Sequence, residues 1–290
     1  MNNMKKNRKQ FEVLQWASLF LEKNNCEQGI AEILLQHHLA VSRAQFYMMM
    51  QEPIPEQIME RFQADIQAHV DTGIPVQHLT GYEYFYGRPF FVNEHTLIPR
   101  PETEELVQQT IQRATRLSNE DPVLIADIGT GSGVIAATLA LELPSAEVYA
   151  TDISEAALHV ARKNAKQLEA EVTFLQGDFL QPLITNKIQA DIIVSNPPYI
   201  ALQDEPTLSR TVKDFDPHLS LFAKENGLAA YKKILQQSPH IIHPTGWMLV
   251  EIGYEQGEAV RALMKSTYPQ SKVEIIQDIN GLDRIVSVSL

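Results

Sequence analysis

The sequence predicts an α/β protein, a mainly parallel sheet covered by helices on both faces and preceded by a small helical bundle. Three observations predict it. After Pro101, short β-branched runs alternate with helical periods; before Thr72, apolar residues recur at helical spacing; between the two lies an aromatic, glycine-bearing stretch that reads as a hairpin. At 290 residues the chain is long enough for roughly two domains with sizeable cores.

In the bundle, Val13, Ala17, Phe20 and Leu21 share one face, followed by Ile30, Ile33 and Leu34, then Ile58, Phe62, Ile66 and Val70. Ser42 is an expected N-cap of a short helix, and Pro53 with Pro55 separates that helix from the longest one. Gly73 and Pro75 end the bundle. Residues 81–92 then carry Tyr82, Tyr84, Phe85, Tyr86, Phe90 and Phe91 around Gly87, the pattern of a linking hairpin whose rings pack between domains.

Strands are expected at 123–128, 148–151, 172–176, 192–195, 247–252, 273–277 and 284–289, with helices at 102–114, 134–143, 155–168, 228–237 and 256–266. Such alternation places ligands beyond the carboxyl ends of the strands. Only 278–283 separates the last two strands, and it contains Asn280-Gly281, so this pair is expected to be antiparallel.

Composition narrows the function classes. The charge sum is 24 − 36 = −12, unlike a protein whose main partner is a phosphate backbone. Lys5, Lys6, Arg8 and Lys9 form the one basic cluster at the N-terminus, and no apolar segment follows them as in a signal peptide. No apolar run approaches the roughly 18 residues needed to cross a bilayer. A single cysteine, Cys26, fits a reducing cytoplasm and rules out an internal disulfide. His240 and His243 have no carboxylate or cysteine at matching spacing, so no metal site is expected.

Asp127-Ile128-Gly129-Thr130-Gly131-Ser132-Gly133 closes the first strand of the sheet and opens a helix. Glycines there let a ligand approach the backbone closely. The spacing is G-x-G-x-G with Val at 134, so it meets neither the dinucleotide fingerprint nor, lacking Gly-Lys-Ser/Thr, a phosphate loop. Asp152 ends the neighbouring strand, where a carboxylate can accept from both hydroxyls of a ribose. Gly177-Asp178-Phe179 follows the third strand and offers an acidic group and an aromatic face to an adenine ring. Together these point to an adenosine-containing ligand held without a phosphate cradle.

The fourth strand runs into Asn196-Pro197-Pro198-Tyr199. Two prolines remove two backbone donors and stiffen the turn, leaving a rigid array of acceptors. The Asn196 side-chain carbonyl and the Pro197 carbonyl suit a planar NH₂ group, and Tyr199 can wall it. Such nitrogens are poor nucleophiles because their lone pair is delocalised, and holding both N–H bonds orients the nitrogen toward an electrophile.

The stretch 127–133, Asp152 and 196–199 resemble the class I S-adenosylmethionine-dependent methyltransferases that modify planar amines. The wider pattern is similar to the HemK/PrmC family, which methylates the glutamine side-chain amide in the Gly-Gly-Gln motif of peptide chain release factors. The similarity runs from the helical N-terminal part through the hairpin, Leu97-Ile98-Pro99-Arg100-Pro101-Glu102-Thr103-Glu104 and the core to Gly281-Leu282-Asp283-Arg284. It implies a seven-stranded Rossmann-like class I methyltransferase sheet, with a helical domain at 1–75, a hairpin linker at 76–95 and a methyltransferase domain at 96–290. It also implies S-adenosyl-L-methionine held by Gly129, Thr130, Gly131, Ser132, Gly133, Asp152, Phe179 and Asn196. Asn196, Pro197, Pro198 and Tyr199 would hold the glutamine amide, with Asn196, Pro197 and Tyr199 as the catalytic set.

Release factors are the partners it implies, with no direct nucleic-acid or membrane contact, a monomeric state and a cytoplasmic location. Two positions depart from the family pattern: Phe179 stands where tryptophan is frequent, and Ala223-Lys224-Glu225-Asn226-Gly227 where Gly-Gly-x-Asp-Gly is usual. An adenine exocyclic-amine methyltransferase acting on DNA or RNA is the alternative, because the Asn-Pro-Pro-Tyr turn serves that chemistry too. A cofactor-binding scaffold without catalysis is a third reading. Arg100 and Glu102 to Glu105 are candidates to order a lid over the site, and an acidic first turn of a helix after Pro101 explains the glutamates equally; Glu251 ends a strand on the cofactor side, with a buried carboxylate paired with backbone donors as its simpler reading.

Overall fold

The computed structural model describes residues 8–117 and 122–290, so Lys5 and Lys6 of the basic cluster lie outside the described residues. Two compact units are present: the chain up to Gly81 with Arg210–Phe215, and Tyr82–Ser209 with Asp216–Leu290.

The first unit contains α1 (Gln10–Lys23), α2 (Ile30–Leu39), α3 (Arg43–Met48), α4 (Glu56–Thr72) and α5 (Val76–Thr80). Val13, Ala17, Leu21, Leu34, Phe62 and Ile66 are fully buried in its core, as helical spacing requires. Ile33 is the exception to the expected face. It is 46% exposed, because α2 turns Ile30, Ala31, Leu34 and Leu35 inward instead. Ser42 caps α3 by a capping box: its hydroxyl accepts from Gln45 N at 3.3 Å, and Gln45 Oε1 accepts from Ser42 N at 2.9 Å. The segment after Pro75 forms one further short helix, α5, beyond the expected end of the bundle.

The second unit opens with the hairpin β1 (Tyr82–Phe85) and β2 (Arg88–Phe91). Tyr86 and Gly87 both have positive φ, 51° and 74°, which matches the twist of a two-residue hairpin turn. Phe85 and Phe90 meet edge to face at 6.1 Å and bury into the core of this same unit. Next come α6 (Thr103–Leu117), β3 (Leu124–Ile128), α7 (Val134–Glu142), β4 (Glu147–Asp152), α8 (Glu155–Leu168), β5 (Thr173–Gln176), α9 (Gln181–Thr185) and β6 (Ala190–Ser195). They are followed by β7 (Ile200–Ala201), α10 (Arg210–Phe215, which clusters with the first unit), α11 (His218–Leu221), β8 (Phe222–Ala223) and α12 (Ala229–Gln237). The chain ends with β9 (Ile242–Glu251), α13 (Gly257–Thr267), β10 (Lys272–Gln277) and β11 (Asp283–Ser289).

One seven-stranded sheet runs β10-β11-β9-β6-β3-β4-β5, with β11 antiparallel to both neighbours and the remaining pairs parallel. Side-chain alternation divides it between two cores: Ile125, Ile192 and Leu249 face one, Ala126, Ile193 and Met248 the other. The chain leaves β3 toward β4 and β5 on one side and returns to β6 on the other. That switch point puts a crevice at the carboxyl ends of β3 and β6. Among the described residues, no helix is long and apolar enough to cross a membrane.

Candidate active site

The turn from β3 into α7 holds Gly129 at φ +73°, Gly131 at +55° and Gly133 at +82°. A Cβ on Gly129 or Gly131 would meet nothing within 4 Å, so both face open space. At Gly133 it would come within 3.0 Å of Ala161 Cβ, so the close helix packing absent at Val134 is supplied one residue earlier. The amides of Gly129 and Thr130 both donate to Thr151 O at 2.9 Å, which ties the turn to β4.

Asp127 lies beneath the turn and is fully buried. Its Oδ2 accepts from Thr130 Oγ1 at 2.6 Å and Ala136 N at 3.2 Å, while Oδ1 has no partner among the described residues. Burial pushes this carboxyl up to about 7, against the pull of those two donors. Asp152, at the end of β4, accepts from Gly131 N and Ser154 N, each at 2.9 Å. Burial raises its pKa too, and the backbone donors oppose the rise. The cap of α8 is Ser154, whose hydroxyl accepts from Ala157 N at 3.2 Å, so Asp152 is not needed for that role. Phe179 adopts φ +50° and is fixed by Thr151 Oγ1 donating to its carbonyl at 2.8 Å. Asp178 beside it pairs with Lys233, whose ammonium lies 5.8 Å from the Phe179 ring centre.

Asn196 leaves the end of β6. Its Nδ2 donates to Thr103 Oγ1 at 3.2 Å, and Thr103 Oγ1 donates to Glu251 Oε2 at 2.7 Å. Glu251 is therefore buried as expected, at 2% exposure, but its partners are the side chains of Thr103 and Asn196 rather than backbone amides. Burial lifts its carboxyl to about 7; Thr103, Arg284 and Asn196 pull the other way, and Glu102 reinforces the rise. Behind the same turn, Gln256 Nε2 donates to Tyr199 O at 2.9 Å. Burial first, then Glu251, raises the Tyr199 phenol to about 12.

These elements enclose a cavity of about 260 Å³. Of the residues expected at the site, Gly129, Thr130, Gly131, Ser132, Asp152, Phe179, Asn196 and Pro198 line it. Gly133, Pro197 and Tyr199 stand outside its wall. The opposite wall is only partly foreseen by the sequence: Leu97, Pro99, Arg100 and Thr103 line the cavity from one segment, of which Arg100 is expected near the site, and Pro217, Leu219 and Ser220 line it from another. Asp216 joins those two segments by accepting from Ile98 N at 3.3 Å and Arg100 Nη2 at 2.7 Å. Among the described residues, no three His, Cys, Asp or Glu side chains group as metal ligands, and His240 and His243 are both exposed.

The donor set fits an adenosine ligand. Two glycines open the floor, Asp152 offers carboxylate lone pairs for a diol and would repel a phosphate, and Phe179 supplies an aromatic edge. With this strand order and this cradle, the second unit is a class I methyltransferase whose cofactor is S-adenosyl-L-methionine. The catalytic domain of human METTL16 in complex with an RNA hairpin has the same fold, with a TM-score of 0.53 and 17% identity over 81% of this chain and 82% of that one. The N-terminal domain of human METTL16 in complex with SAH matches with a TM-score of 0.50 at 16% identity, covering 83% and 85%.

Family profiles separate the two parts: a PrmC N-terminal domain matches residues 12–81, and a methyltransferase small domain matches 108–219. A release factor glutamine methyltransferase of Bacillus cereus is 45% identical over 276 residues, covering 95% of this chain and 97% of the relative. One from Bacillus subtilis is 43% identical over 277 residues, with 95% and 96% covered. The chain belongs to the release factor glutamine methyltransferase family.

Proposed function

We propose that the chain transfers a methyl group from S-adenosyl-L-methionine to the side-chain amide nitrogen of the glutamine in the Gly-Gly-Gln motif of peptide chain release factors. The observation that carries this reading is the orientation of Asn196: its NH₂ is committed to Thr103, so its carbonyl Oδ1 is the end left for a substrate N–H. A site that presents acceptors to a planar NH₂ suits a carboxamide.

When bound, S-adenosyl-L-methionine supplies an electrophilic methyl on a sulfonium sulfur. Gly129, Thr130, Gly131, Ser132 and Gly133 would hold it from the glycine turn, Asp152 would accept from the ribose hydroxyls, and Phe179 and Asn196 would border it. Asn196 Oδ1 and the Pro197 carbonyl each accept one N–H of the glutamine amide, while Pro198 and Tyr199 stiffen and back the turn. With the amide held by these acceptors, its nitrogen would take that methyl and then give its extra proton to water. No side chain need act as a base, because the methylated amide is strongly acidic before that loss; the acceptors lower the barrier by holding charge that develops on the N–H groups. The helical domain at 1–75, the linker at 76–95 and the methyltransferase domain at 96–290 are the proposed divisions, and a monomer working in the cytoplasm without nucleic-acid contact is the proposed setting.

Incubation with labelled S-adenosyl-L-methionine and purified release factor, followed by mass mapping of the Gly-Gly-Gln peptide, tests the reaction. A methyl increment on that glutamine is expected. Labelling of adenine in DNA or RNA in its place would overturn the reading.

A further inference from the structure

An asparagine side chain is nearly symmetric in shape but opposite in function at its two ends. Turned one way it presents a carbonyl to a ligand and selects an NH₂; turned the other way it presents an NH₂ and selects a carboxylate oxygen. At Asn196 the direction is set from behind. Glu251 is buried, and an ionised carboxylate can only accept. Thr103, 3% exposed, has one hydroxyl proton and donates it to Glu251 Oε2 at 2.7 Å. Its oxygen then has only lone pairs for Asn196, which donates from Nδ2 at 3.2 Å and has Glu251 as a second acceptor. Were Asn196 turned over, its carbonyl would face the lone pairs of Thr103 and the charge of Glu251 with no proton between them, and burial makes that arrangement costly.

We propose that Thr103 and Glu251 are the specificity-determining pair of this site: by fixing which end of Asn196 faces the cavity, they make it accept a carboxamide and reject the corresponding carboxylate. The inference rests on the reading that Asn196 receives the glutamine amide, and deepens it. Thr103 and Glu251 are positioning residues with respect to the substrate, acting through Asn196. Their partnership spans 148 residues of sequence and has no local signature.

The test compares two forms of the release factor, one with Gly-Gly-Gln and one with Gly-Gly-Glu, binding to the protein loaded with S-adenosyl-homocysteine. It is run at about pH 8.5, above the value of about 7 to which burial lifts Glu251. Wild-type protein is expected to prefer the glutamine form. Thr103→Val keeps the shape and removes the hydroxyl, so Asn196 keeps only Glu251 of its two acceptors and the ratio of the two dissociation constants should shrink about fivefold, the size of one lost hydrogen bond. Thr103→Ser restores the hydroxyl and should restore the ratio and kcat together. Glu251→Gln offers both a donor and an acceptor, so direction is no longer forced; it reads the same ratio, which should shrink, if Thr103→Val does not fold. An unchanged ratio in whichever variant folds, with wild-type methylation intact, overturns the inference alone. Failure of wild-type protein to methylate the glutamine overturns the reading beneath it.

Discussion

Replacing Gly227 with alanine should disable turnover while leaving the cofactor cradle in place. Gly227 sits at φ +83°, where a non-glycine residue costs roughly 1–2 kcal/mol. The larger effect is steric: its Cβ would lie 2.1 Å from the Tyr199 carbonyl oxygen, 3.0 Å from the carbonyl carbon and 2.6 Å from Gln256 Nε2. Restoring ordinary contact requires the Tyr199 carbonyl to move by about 1 Å, and Gln256 can no longer hold it at 2.9 Å. Tyr199 closes the Asn-Pro-Pro-Tyr turn, and two prolines leave that turn no slack, so the displacement passes to Asn196. A 1 Å misplacement of a positioning group costs about 100-fold in rate. Gly227→Ala is therefore expected to lower kcat for release factor methylation about 100-fold and Tm by a few degrees, roughly 2–4 °C per kcal/mol for a protein of this size. The dissociation constant for S-adenosyl-homocysteine should stay within a few-fold of wild type, because Gly129 and Gly131 lie in the turn after β3 and Asp152 at the end of β4, away from the displaced segment. Methylation within about threefold of wild type would refute the argument that Tyr199 and Asn196 move as one rigid turn.

Asn196→Ala should keep cofactor affinity and lose turnover by roughly 2.7–4 kcal/mol, the effect of deleting one preorganised polar group; single-turnover kinetics at saturating cofactor check it, and an unchanged rate would count against the role of Asn196. Asp152→Ala leaves the amides of Gly131 and Ser154 without their acceptor and removes the diol contact. It should weaken cofactor binding by about 10- to 100-fold in calorimetry, and unaltered binding would remove Asp152 from the cradle. Asp127 has a folded-state pKa raised from 3.8 to about 7, so between those values the folded protein holds a proton that the unfolded chain releases. Its contribution to stability is fully present below about pH 4 and is lost as pH rises toward 7, at about 1.4 kcal/mol per unit. Asp127→Asn should gain stability relative to wild type by about 1–3 kcal/mol on going from pH 5 to pH 7.5 in urea unfolding; the same difference at both pH values would show that Asp127 is ionised throughout.

Regular elements were legible where the chain repeats a local period. Each expected strand of the large sheet is present within a few residues of its predicted ends, except that β9 begins at Ile242 rather than 247, beside a register shift in its pairing with β6. Asn280-Gly281 marked the antiparallel pair correctly, with Gly281 at φ +78°. What escaped was structure that no local period encodes. The pieces α9, β7, α11 and β8 span two to five residues each, too short to show a repeat, and they exist because tertiary contacts hold them. Ile33 misled because Ala31 and Leu35 share the buried side of α2, and an alanine carries little periodic signal. In the site, each glycine and proline announced its backbone geometry, whereas Thr103 beside Glu251 and Arg100 beside Asp216, 116 residues away, join distant segments. Only the folded sheet brings those polar partners together.

The distribution of strain and of costly charge locates the site independently of any resemblance. Positive-φ residues elsewhere close helices or hairpins: Ala40, Gly73, Gly81 and Glu169 are helix C-caps, Asn25 and Lys187 directly follow the C-caps of α1 and α9, and Tyr86, Gly87 and Gly281 sit in hairpin turns. Gly129, Gly131, Phe179, Glu225, Asn226 and Gly227 do neither, and they belong to the loops beyond the carboxyl ends of the strands or pack directly on the Asn-Pro-Pro-Tyr turn. Phe179, Glu225 and Asn226 carry a side chain in that conformation, at a cost of order 1–3 kcal/mol each. At the carboxyl ends of β3, β4 and β9 stand Asp127, Asp152 and Glu251, all with pKa values raised chiefly by burial. Folding alone gives no return for placing three desolvated acids and several left-handed residues around one cavity. A ligand that carries positive charge and hydroxyl donors would, because its hydroxyls would pair with Asp152, the one acid of the three that lines the cavity, and its charge would lie in the field of all three. The same accounting separates the positions: Asp152 lines the cavity, whereas Asp127 and Glu251 lie behind it, Asp127 accepting from Thr130 in the glycine turn and Glu251 from Thr103, the hydroxyl to which Asn196 donates.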